Sequence, residues 1–260
     1  MQVDCVLTYH LCEPYVYAAV NSALWQTHAD LVLHIVDDTG GEGWNKELNQ
    51  KFQDPRIRFY KNEKNIGFYM SVNSIFSNFK GELFFVFDSD DISPKWRIAD
   101  ALEIYQKESF DVYTGGTRII TQSDEITDYY GIPTPPVLNK DGLIISGKFY
   151  NPTCAVKREY FNELNGYSDC LVGGDKDFVI KSHYYGAKFY YDSKRVMTYR
   201  RTHPKQVTKT DTTGMHTHFR WEMSQKTAER TKKYYLGCVK RRIRKCGMLR
   251  LTKQQQPIPI

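Results

Sequence analysis

Four apolar runs, VDCVL (3–7), LVLHIV (31–36), IRFY (57–60) and ELFFVF (82–87), begin about 26 residues apart, the length of one strand-plus-helix unit. Helix-like stretches lie between them. Residues 15–26 carry Val16, Ala19, Val20, Ala23 and Leu24 on one face, and residues 68–79 carry Val72, Ile75, Phe76 and Phe79. Strands alternating with helices pair in parallel, and parallel sheets are covered on both faces. The expected class is α/β: a Rossmann-like, mostly parallel sheet flanked by helices. With 260 residues, 41% apolar and 14% aromatic, the chain has material for a large core.

Ligands of such sheets bind beyond the carboxyl ends of the strands. Polar clusters stand at those ends: Thr8-Tyr9-His10, Asp37-Asp38, residues 61–65 and Asp88-Ser89-Asp90-Asp91. In FFVFDSDDI (84–92) three carboxylates crowd a strand exit, where each close pair repels by roughly 1 kcal/mol or more. Two readings offset this. Ser93 and Pro94 resemble a helix N-cap with proline in its first turn, and acids suit that end of a helix dipole. Alternatively, the acids hold a divalent cation and the phosphates it carries. Asp37-Asp38 at a neighbouring strand end favours the second reading: one acid accepts from a base N–H or ribose hydroxyls, and another holds Mg2+ or Mn2+. GGEG (40–43) lacks the Lys-Ser/Thr of a phosphate loop and a full GxGxxG.

The second half has another texture. Strands are expected at 112–121, 125–130, 144–149, 188–190 and 196–200, and helices at 158–164 and 175–185, with the proline-rich GIPTPPVLNKDG (131–142) as a mobile loop. The six cysteines show no CxxC pair or zinc spacing and read as reduced thiols. No apolar run reaches the ~18 residues of a membrane span, and the N-terminus does not read as a signal peptide.

The net charge of +6 is unevenly placed. From Arg230 to Ile260 there are ten basic residues and no acids, leaving 26 basic residues against 30 acids elsewhere, a balance of −4. Leu236, Val239 and Ile243 recur at helical spacing among Lys240, Arg241, Arg242, Arg244 and Lys245. This pattern suits a helix on an anionic membrane surface, through residues 230–253, or a terminal helix packed on the body. No nucleic-acid module is recognisable, and no nucleic-acid partner is expected. The expected location is cytoplasmic, with the tail offering attachment to the cytoplasmic face of a membrane.

The ordered set LTYH, SALWQTH, LVLHIVDDTG, NEKNIGF, VNSIF and KGELFFVFDSDDI resembles the inverting family 2 glycosyltransferases of the A-type fold. The likeness covers residues 1–105 and continues through GGDKDF and YRRTH to about residue 210. It implies three parts: a nucleotide-sugar-binding half (1–105), an acceptor-binding and catalytic half of the same domain (106–215), and a basic helical extension (216–260). Residue by residue, it places Thr8 at the opening of the nucleotide pocket, Asp38 facing the base with Asp37 beside it, and Asn65 and Gly67 on a turn near the nucleotide. Asp88 falls on the ribose side of the DxD motif, with Ser89 beside it, and Asp90 on the metal. His203 matches a histidine near metal and diphosphate. Asp175 matches the catalytic base, with Asp177 as its rival. Three positions depart from the pattern: Leu11 replaces an Asn, Val72 an Arg, and Gly174 the Glu of a Glu-Asp pair.

The implied reaction is metal-dependent displacement at an anomeric carbon, with inversion. The donor would be a nucleotide-diphosphate sugar, a UDP-sugar favoured, and the acceptor a hydroxyl of a glycan or glycolipid; Mn2+ or Mg2+ would serve the diphosphate. Two other readings are a catalytically silent sugar-nucleotide or carbohydrate-binding module and a sugar nucleotidyltransferase. The second normally carries a Gly-rich, basic first loop, which LTYHLCEPY is not.

Overall fold

The computed structural model describes residues 1–10, 12–40, 45–169, 174–203, 220–222, 229, 232–234 and 236. Its first half runs β1 (Val3–Tyr9), α1 (Val16–Leu24), β2 (Leu31–Asp37), α2 (Asn45–Lys51), β3 (Ile57–Lys61), α3 (Phe68–Ile75), β4 (Leu83–Asp88) and α4 (Arg97–Glu108). The four apolar runs are thus the four strands, parallel in the order β3-β2-β1-β4. Successive side chains leave a strand on opposite faces, so each run feeds two cores. Cys5, Leu7, Ile35, Phe85 and Phe87 pack with α1 and α4, while Val6, Val36, Phe84 and Val86 pack with α3. Each such side chain contributes about 1.5–3 kcal/mol when fully buried. Two buried faces explain why the runs are continuously apolar instead of alternating.

The second half adds β5 (Val112–Ile120), β6 (Ile126–Gly131), β7 (Thr134–Leu138), β8 (Ile144–Lys148), β9 (Ala155–Lys157), α5 (Arg158–Glu163), α6 (Gly174–Tyr184), β10 (Phe189–Arg201) and β11 (Arg220–Glu222). Among the described residues eight strands form one sheet, ordered β10-β5-β9-β4-β1-β2-β3, with β6 on β5. Strand β9 lies antiparallel between β4 and β5, so both halves share a sheet and β4 and β5 point the same way. Strands β11, β8 and β7 make a second, antiparallel sheet.

Four expectations change. The proline-rich stretch carries a strand, because Pro135 and Pro136 lie in β7 at a sheet edge, where a missing N–H is tolerated. The two strands expected at 188–190 and 196–200 are one, β10, whose pairing with β5 slips between Tyr191 and Thr198. Ser93 does not cap a helix: α4 starts at Arg97, Trp96 stands at its cap position, and Ser93 instead donates its N–H to Ser22 Oγ (3.1 Å). Asp91, expected beside that cap, belongs to the acidic cluster described below. The expected basic helix at 236–245 falls, but for Leu236, outside the described residues.

Candidate active site

Strand register gathers the polar clusters at one end of the sheet: Tyr9 lies opposite Asp37, Asp37 opposite Lys61, and Thr8 opposite both Val36 and Asp88. On the β2 side Asp38 and one oxygen of Asp37 are engaged by the chain itself, while Asp37 Oδ2 is buried without a hydrogen-bond partner among the described residues. Asp38, only 2% exposed, accepts from the Asn62 amide (2.8 Å) and the Ile66 N–H (2.8 Å) on Oδ1, and from the Gly67 N–H (2.8 Å) on Oδ2. Gly67 sits at φ +79°, which favours glycine, and its N–H also reaches the Asn65 side-chain Oδ1. The Asn65 amide nitrogen meets His10 Nδ1 at 3.0 Å. Asp37, also buried, accepts from the Thr39 N–H and hydroxyl at 2.9 and 2.6 Å. Burial and the Asp37 carboxylate hold the Tyr9 phenol above its ordinary value. Thr8 Oγ1 is buried and has no hydrogen-bond partner among the described residues.

On the β4 side the charge is poorly compensated. One oxygen each from Asp88, Asp90 and Asp91 lies within 4.8 Å of the others. The Asp88 carboxyl is pushed up to about 7, first by burial, then by Asp90, with Asp175 adding to the effect. Asp91 is raised well above the ordinary range by burial and then by Asp90. Its Oδ1 accepts the Arg201 N–H (3.1 Å), while Oδ2 is buried without a hydrogen-bond partner among the described residues, 3.7 Å from Arg200 Nε. Arg200 and Arg97 are the cations that partly offset Asp88. Arg97, fully buried, donates to the Val86 carbonyl (2.6 Å) and the Cys154 carbonyl (3.2 Å) and lies over the Phe87 ring. His203 Nε2 is hydrogen-bonded to Asp90 Oδ2 (2.9 Å), its ring lies tilted against Tyr15, and its buried Nδ1 has no partner among the described residues.

Crowded, partly desolvated carboxylates with an orphaned oxygen are a donor set for a hard, oxygen-loving cation, so the residues fit Mg2+ or Mn2+. Asp88 and Asp90 belong to that set, and Asp91 joins them. His203 touches it through Asp90. Ser89 is buried, and its side chain is hydrogen-bonded to the Cys12 thiol.

Asp175, in the first turn of α6, lies close enough to Asp88 to raise its pKa and accepts from the Tyr69 hydroxyl at 3.1 Å. Asp177 is bonded instead to the Ser168 hydroxyl. Val72 is fully buried in the core on the α3 side. Sequence reasoning missed Tyr69, whose partner Asp175 is 106 residues away, and Arg97, whose burial no local pattern announces; Arg200 stood in view within YRRTH.

A family model described as glycosyl transferase family 2 matches residues 4–164. No curated protein matches in sequence. Among solved structures, S. aureus TarS 1-349 in complex with UDP-GlcNAc has a TM-score of 0.65 at 17% identity, covering 79% of this chain and 60% of that one. TarS 1-349 in complex with UDP has a TM-score of 0.62 at 16% identity, covering 99% and 77%. The chain therefore spans about three fifths of TarS 1-349 in the first alignment, and full TarS is covered over 37% of its length. These likenesses carry the fold: an α/β core of the A type, with its acids at the carboxyl ends of a parallel sheet. With more than half its length matched by the family model, the chain belongs to glycosyl transferase family 2.

Proposed function

We propose that the protein transfers a sugar from a nucleoside-diphosphate sugar, a UDP-sugar first among candidates, to a hydroxyl of a saccharide or lipid-linked saccharide, inverting the anomeric centre. One observation carries the reading: the Asp88-Asp90-Asp91 cluster stands at the end of β4, and Asp175, from the other half of the chain, lies close enough to Asp88 to raise its pKa. Asp175 takes the acceptor hydroxyl's proton on a carboxylate oxygen as that hydroxyl attacks the anomeric carbon and the bond to the diphosphate breaks. Asp90 and Asp88, with Asp91, would hold Mg2+ or Mn2+, which when bound stabilises charge on the departing diphosphate. His203 orients Asp90, Asp38 with Asn65 and Gly67 shapes the base end of the donor site beside Thr8 and Asp37, and Ser89 lies with Asp88 on the ribose side. TarS structures with UDP and UDP-GlcNAc support a uridine donor. The basic residues 230–253 suit an anionic membrane surface on the cytoplasmic side, where a lipid-linked acceptor would lie; loss of vesicle binding on truncation after residue 230 checks this.

Thermal shift with Mn2+ and a panel of UDP, GDP and dTDP sugars identifies the donor, because a ligand of the native state alone raises the melting temperature. Asp90→Asn should then weaken donor binding. Asp175→Asn should bind normally and lose about 10²–10⁴ in kcat. Full turnover by Asp175→Asn with loss in Asp177→Asn would move the base.

A further inference from the structure

Gly174 opens α6 with the Tyr69 ring directly upon it. A Cβ at position 174 would lie 2.6, 2.7 and 2.8 Å from three Tyr69 ring carbons, closer than any side chain tolerates. The same tyrosine donates its hydroxyl proton to Asp175 Oδ1 (3.1 Å), so its hydroxyl holds the carboxylate of the residue next to Gly174. The ring is itself held, edge-on to Phe68 at 5.3 Å and tilted against Tyr167 at 5.2 Å between centroids. Burial, then Asp175, keep its phenol protonated and a donor at working pH.

We propose that Tyr69 is the positioning residue for the Asp175 carboxylate, and that the missing side chain at Gly174 is the space that admits its ring. The departure from a Glu-Asp pair thus has a physical content. The residue before the base carries no side chain because α3, not α6, supplies the orienting group. In its catalytic consequence the proposal rests on the glycosyl-transfer reading.

Tyr69→Phe keeps the ring and removes the donor. Transfer kcat should fall about tenfold to a hundredfold, as for a base slightly misplaced, while donor KM stays within about twofold. Gly174→Ala, which displaces the ring, should cost a similar factor in the native background and nothing further in Tyr69→Phe, since both act through one hydroxyl. Unchanged kcat in Tyr69→Phe, or losses that multiply in the double variant, overturns the proposal. A melting cycle reads the link without turnover: Tyr69→Phe should lower Tm less in an Asp175→Ala background than in the native one. Equal drops in both backgrounds overturn the link. A native protein inert with every donor, with the melting coupling intact, overturns the glycosyl-transfer reading and leaves the link standing.

Discussion

The strand ends of β2 and β4 each present adjacent acids, yet they use them in opposite ways. Asp38 is saturated: two backbone N–H groups and an amide converge on it, and the turn at 65–67 is built around its carboxylate. Asp88, Asp90 and Asp91 face one another, and burial drives two of them toward protonation. Asp38 spends its charge on folding the turn at 65–67, whereas the second cluster keeps its carboxylates turned on one another; Asp37, with one buried oxygen lacking a hydrogen-bond partner among the described residues, stands between the two cases. Sequence alone presents both as short acidic runs after an apolar strand; only the location of the donors separates them.

The contrast breaks most visibly if Asp38 is a ligand contact rather than a structural acceptor. Asp38→Ala strands three donors and should cost about 3 kcal/mol, read as a fall of about 6–12 °C in Tm. A normal melting point with lost donor binding would erase the distinction between the clusters.

Asp88→Asn should do the reverse, raising Tm by about 2–4 °C in chelator at pH 8 while abolishing the gain that Mn2+ gives the native protein. The sign follows from linkage: the folded carboxyl titrates at about 7 against 3.8 unfolded. The folded state keeps a proton the unfolded state has released, so this contribution to stability is full below about pH 4 and is lost as pH climbs through about 7. A cation-free protein whose stability does not decline across that window would place the strain elsewhere.

The smallest effect is a reporter. Cys12, behind the acidic loop and bonded to Ser89, is pushed up to about 12 chiefly by burial. At pH 8 about one thiol in ten thousand is thiolate, and alkylation should be far slower in the folded than in the unfolded chain. Rapid labelling of native Cys12, located by peptide mass, would mean the loop opens.

Much of the sheet was legible because its strands are buried on both faces and must be written in apolar letters. Strand β9 was not, since three residues, Ala155–Lys157, carry no periodicity. The cap expected at Ser93 misled because Pro94 promises a helix start. Instead Ile92 bridges to Tyr199 and the Pro94 carbonyl accepts the Arg97 N–H, delaying the helix. Within the site, the acids were readable as types and positions. What each one touches was not, because Tyr69 and Asp175 lie 106 residues apart and no local pattern encodes their meeting.

Strand β9 also sets an order of assembly. It joins Phe84 and Phe85 on one side to Val112 and Tyr113 on the other, so β4 and β5 cannot enter one finished sheet until residue 157 has emerged from the ribosome. Until then a nascent chain carries β4 as an open, phenylalanine-rich edge, the kind of surface on which other strands add. The short ninth strand is thus a late closing piece: everything made between the fourth strand and residue 157 must wait for it before that edge is covered.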